Sequence, residues 1–129
     1  MTGSRKPFQY AALRIVPRVE RGEAVNAGVV LFCRPLRFLG ARTELDVRLL
    51  HALSPDCEPE AVAKLLRTIE LIAAGDPAGG PIAELPGSER FHWLVAPAST
   101  IVQPGPVHTG LTADPEHELW QLFAKLVER

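Results

Sequence analysis

A chain of 129 residues, 47% of them apolar, has the size and composition of one globular domain, 1–129, that buries a single core without staples. A net charge of −1 excludes the strongly basic footprint of a typical nucleic-acid binder, and the two cysteines, Cys33 and Cys57, give neither metal-ligand spacing nor a disulfide framework. No apolar run approaches a membrane span and residues 1–7 lack the apolar core of a signal peptide, so a reduced, cytoplasmic protein without cofactor or metal is the expectation.

The small net charge conceals an asymmetry. Residues 1–50 carry nine Lys/Arg against four Asp/Glu, whereas residues 51–129 carry five against eleven. Such a split fits a basic face that meets an anion or an acidic partner, and equally two halves that pack together with their charges in water.

The first strong signal spans residues 8–33. Residues 8–16 (FQYAALRIV) and 27–33 (AGVVLFC) read as strands by length and β-branched content, and Pro17 ends the first because it has no N–H for a ladder. The second strand is apolar on both faces, which suits a central position covered on both sides. Between them the segment Arg18-Val19-Glu20-Arg21-Gly22-Glu23 alternates charge, with Gly22 available for a reversal at positive φ. Asn26 precedes the second strand, where its amide can bond nearby backbone.

Residues 37–42 read as a short strand whose terminal arginines, Arg37 and Arg42, suit a sheet edge. Residues 45–53 fit either period; leucine content and the stop at Ser54-Pro55 favour a short helix. Residues 59–74 are a clear amphipathic helix, with Val62, Leu65, Leu66, Ile69, Ile72 and Ala73 on one face, Pro59 in the first turn and Gly75 closing the end. Residues 91–96 and 99–103 read as an antiparallel strand pair turning at Pro97-Ala98. A polar block, 107–112, then leads to Asp114-Pro115, a strong start for a helix over 115–128. The expected fold is α+β: an antiparallel sheet of four or five strands packed by helices 59–74 and 115–128.

Candidate chemistry gathers in two polar blocks. Arg14 stands among apolar residues on the first strand, and a guanidinium there needs a bidentate carboxylate or phosphate partner. The internal candidate is Glu23; the external one is an anionic ligand gripped with Arg18, Arg21, Asn26, Arg90, Ser99, His108 and Thr109. A nucleophilic triple of Ser99, His108 and an acid is set aside, because four histidines and fifteen acids assemble such a triple by chance. No catalytic residue is assigned, and Cys33 reads as inert core.

The blocks PFQYAALRIVPRVERGEAVNAGVVLFC and RFHWLVAPASTIVQPGPVHTGLTADP, followed by a terminal amphipathic helix, resemble the bacterial domain-of-unknown-function family 3037 over nearly the whole chain. Positions matching its pattern include Tyr10, Arg14, Pro17, Gly22, Asn26, Gly28, Gly110 and Asp114. The resemblance carries no established activity; its association with kinase-like proteins of the HipA-like type implies an accessory role beside such a partner, or self-association. The competing expectation is an enzyme or ligand-binding protein that takes a phosphorylated or nucleic-acid substrate at the 14–26 and 90–114 blocks.

Overall fold

The computed structural model describes residues 4–98 and 100–129. Its first hairpin is β1 (Lys6–Ile15) and β2 (Val25–Cys33), joined by a 3-10 turn at Val19–Arg21 that Gly22 reverses at φ 70°. A four-residue turn leads to β3 (Phe38–Thr43). Arg37 in that turn has φ 54°, a left-handed conformation uncommon for a residue with a Cβ.

Two helices follow, α1 (Val47–Leu53) and α2 (Pro59–Ala74). Asp46 caps α1 by accepting from Leu49 N–H, which settles the ambiguous 45–53 segment as helix. In α2, Pro59 occupies the first turn and Gly75 closes the end at φ 72°, as the pattern predicts.

Residues 91–96 do not form the expected strand. Residues Gly87–Leu94 are a helix, α3. Alternating Phe91, Trp93 and Val95 looks like a strand, but Phe91, Leu94 and Val95 also recur at steps of three and one. Phe91 and Leu94 are buried on one face of the helix and, with the partly buried Val95 at its end, fill the core against Leu13 and Val30. The expected strand partner over 99–103 is likewise displaced: the strand is β4, Val102–Pro104, and it pairs with β1. A fifth strand, β5 (His108–Thr112), lies in the polar block to which the pattern assigns no element, and α4 (Pro115–Leu126) follows under an Asp114 cap on His117 N–H.

All pairings are antiparallel, with strand order β3-β2-β1-β4 and β5 also on β1. Both β4 and β5 use the same edge of β1: β4 opposite Leu13–Ile15, β5 opposite Lys6–Tyr10. Together they are one strand broken by a bulge, in which residues 105–107 stand opposite Ala11 and Ala12, and Gly105 N–H still reaches Ala12 O at 2.7 Å.

Helices cover both faces. On one, α4 buries Leu119, Leu122 and Phe123 against Phe8, Val29, Leu31 and Cys33. On the other, α2 and α3 cover Ala11, Leu13 and Val30, and α1 with α2 closes over Ile15 and Ala27. The apolar run 27–33 of β2 therefore lies in a sheet covered on both sides. β3 is one edge strand, held to α4 by the Arg42 guanidinium 3.4 Å from the centre of the Trp120 ring, and β4 with β5 form the other edge. Among the described residues no helix is long and apolar enough to cross a membrane.

Candidate functional site

Three of the predicted residues meet. Arg14, Asn26 and His108 line a shallow cleft of about 130 Å³ on the α4 face, together with Tyr10, Ala12, Pro106 and Leu126. Strand alternation puts Tyr10, Ala12 and Arg14 on one side of β1. Asn26 reaches the same side through a bulge in β2: the register shifts between Leu13 and Arg14, so Leu13 faces Gly28 while Arg14 faces Asn26. The extra residue, Ala27, turns into the opposite core.

The cleft has one polar bond that fixes its floor. Asn26 Nδ2 donates to Leu126 O at 3.1 Å, tying β2 to the last turn of α4 and satisfying a carbonyl that has no helical partner. This replaces the expected bond to nearby backbone. Opposite it, the Tyr10 and His108 rings face each other across β1 and β5 with centroids 5.3 Å apart.

Arg14 lies flat along the bulge, so that a Cβ added to Gly105 would sit 3.0 Å from its Nη2 and 3.1 Å from its Cζ. Glu23 is not its partner. That carboxylate is bonded instead to Arg21, Nε to Oε1 at 2.6 Å, on the exposed turn. Closeness in sequence decides the match: two residues apart across a tight turn, Arg21 and Glu23 meet at little ordering cost, whereas Arg14 faces the sheet surface. The hydrogen bond from Arg21 holds the Glu23 carboxyl below its usual range. Among the described residues Arg14 has no carboxylate within ion-pair distance.

The remaining candidates are elsewhere. Arg18 is exposed beside the turn. Thr109 is exposed on the face of β5 opposite to His108, in register with Gln9. Arg90 serves the helix ends: Nη1 donates to Ile72 O at 3.0 Å and Ala73 O at 2.6 Å, and Nε to Leu85 O at 2.9 Å. Its fork is therefore committed to backbone at the negative end of α2. Ser99 lies outside the described residues. Cys33 is fully buried, its Sγ 3.5 Å from Pro7 O, as a core thiol should be. Among the described residues no three His, Cys, Asp or Glu side chains are grouped to hold a metal ion.

A second set of concave surface escaped the sequence reading. Three adjoining depressions run between the β2–β3 turn and α3, all of them lined by Arg34 and Ser88. Taking residues 91–96 as a strand left 87–90 in a loop and hid Ser88 and His92 as an i, i+4 pair on one helix face. The paired arginines of the turn, Arg34 and Arg37, were the available signal.

Searches of curated proteins and of solved structures returned no match. Residues 10–127, nearly the whole chain, match the family described as "Protein of unknown function (DUF3037)", and the chain belongs to that family.

Proposed function

We propose that the protein is an interaction module, acting as an accessory to a protein partner, and that its Arg14 cleft holds an oxyanion group presented by that partner. One observation carries this reading: a guanidinium laid over the Gly105 backbone, in a concave site shared with Asn26 and His108, takes no carboxylate from the described residues. A fork in that setting suits two oxygens of a carboxylate or phosphate. His108 and Tyr10 supply further polar edges, and the rigid sheet supplies the positioning. A cleft of about 130 Å³ admits a single side-chain carboxylate or phosphoryl group rather than a whole nucleotide, which favours recognition over turnover of a large substrate.

The kinase-like partner implied by the family resemblance is the first class to try. Arg14→Ala and the wild type would be compared as bait against such a protein, with inorganic phosphate and acetate titrated into ¹⁵N-labelled protein alongside. The reading expects the anions to shift the Asn26 and His108 resonances, and expects Arg14→Ala to abolish both those shifts and the partner's capture. Capture unchanged by Arg14→Ala would sink it.

A further inference from the structure

We infer that the groove between the β2–β3 turn and α3 docks an acidic peptide segment of a partner protein, with an apolar side chain as its anchor. The groove lies on the α3 side of the sheet, away from the Arg14 cleft, so it stands whether or not that site binds anything.

Its three adjoining depressions have volumes of about 280, 590 and 280 Å³, large enough together for several residues of an extended peptide. The floor is apolar and rigid: the Phe32 and Phe91 rings stack with centroids 5.2 Å apart, and Val95 and Val107 wall the depression next to them. Trp93, half exposed, forms part of the lining farther along α3. This gives an apolar side chain a seat and an aromatic lip, the arrangement in which interface anchors are strongest.

The charge around that floor is mostly positive. Arg34 lines all three depressions, and Arg37 and the backbone-bonded Arg90 line the first, against one carboxylate, Glu89, in the second. Arg34 and Arg37 are exposed, and among the described residues neither is ion-paired. The left-handed backbone of Arg37, at φ 54°, is a conformation that glycine or asparagine adopts more cheaply. Two exposed guanidiniums beside an apolar seat match carboxylates flanking a hydrophobic residue. A nucleic acid fits less well, because a phosphate backbone has no apolar side chain for the Phe32–Phe91 seat and two exposed arginines are fewer than the phosphate contacts a nucleic-acid binder makes.

The test uses the full chain and an acetylated, amidated peptide in which glutamates flank a central phenylalanine. Titration into ¹⁵N-labelled protein should shift the resonances of Ser88, His92 and the 34–37 turn. Arg34→Glu should weaken binding by about tenfold or more while leaving the spectrum of the fold intact, since Arg34 is exposed. The Arg14→Ala variant should bind the peptide as the wild type does. The proposal is overturned if the peptide shifts nothing at millimolar concentration, if Arg34→Glu binds it equally well, or if a single-stranded oligonucleotide moves these resonances and the peptide does not.

Discussion

Replacing Arg90 by methionine keeps the apolar stem and removes every donor. Three carbonyls lose a partner, with unequal consequences. Leu85 is exposed enough for water to reach its oxygen, and Ile72 O keeps the N–H of Gly75 at 3.1 Å. Ala73 is different: the residue is buried, and the position four residues on is Pro77, which has no N–H to offer. Stranding that acceptor costs about 1–3 kcal/mol, and losing a cation at the end of α2 adds about 0.5 kcal/mol. The expected destabilisation is about 2–3 kcal/mol, or a fall in Tm of about 8–10 °C for a domain of this size. Thermal unfolding followed by far-ultraviolet circular dichroism, with the midpoint in urea as a second measure, reads this directly. Arg90→Lys restores the charge without the fork and should recover about half. A methionine variant within about 0.5 kcal/mol of wild type would refute the argument, and a lysine variant equal to wild type would show that charge alone matters.

Gly110→Ala should cost about 1–3 kcal/mol, because its Cβ would lie 2.6 Å from Cζ of the buried Phe8 ring; Phe8→Leu in the same chain should recover much of the loss in a denaturant titration. Gly105→Ala should barely change Tm, since the group it meets is the movable end of Arg14, yet it should weaken the phosphate-induced shifts of Asn26 and His108. Glu23 has a depressed pKa in the folded state, so its ion pair with Arg21 contributes above the ordinary carboxylate pKa and that contribution is lost as pH falls through the lowered value; Glu23→Gln should remove this acid-side component from a stability profile taken from about pH 6 to about pH 3. A thiol reagent should modify Cys57 in the native protein and reach Cys33 only on unfolding, giving one fast equivalent by absorbance.

The sequence was most legible where one physical rule acts alone. The helix at 59–74 announces itself through its spacing, Pro59 and Gly75, and β2 through an apolar run with no polar face. The reading failed where two periods overlap. In residues 91–96 the aromatic and β-branched side chains favour a strand, and only burial of Phe91 and Leu94 against Leu13 and Val30 decides for a helix. Residues 108–112 look polar because an edge strand leaves His108, Thr109 and Leu111 open to solvent. The site was legible in part for a related reason. Alternation predicts that Arg14 leaves the sheet on the same side as Tyr10, but the bulge at Ala27 that brings Asn26 beside it has no mark in the sequence. Arg14 was identified as needing a partner, with Glu23 as the internal candidate, and Arg90 as a grip for an anion; that Glu23 takes Arg21 and Arg90 takes backbone carbonyls depends on distances that pattern alone does not carry.

The pairing of the first strand with the last two has a consequence for synthesis. The β1–β2–β3 meander is local and can form as soon as residues 6–43 have emerged, but β1 gains its other neighbour only when 102–112 arrive. Until then that edge of β1 exposes unpaired backbone, and the stripe of Phe8, Val29, Leu31 and Cys33 stays uncovered until α4 is made. The nascent chain thus carries a sticky sheet face and an open edge from the time the meander forms until residues 102–126 emerge.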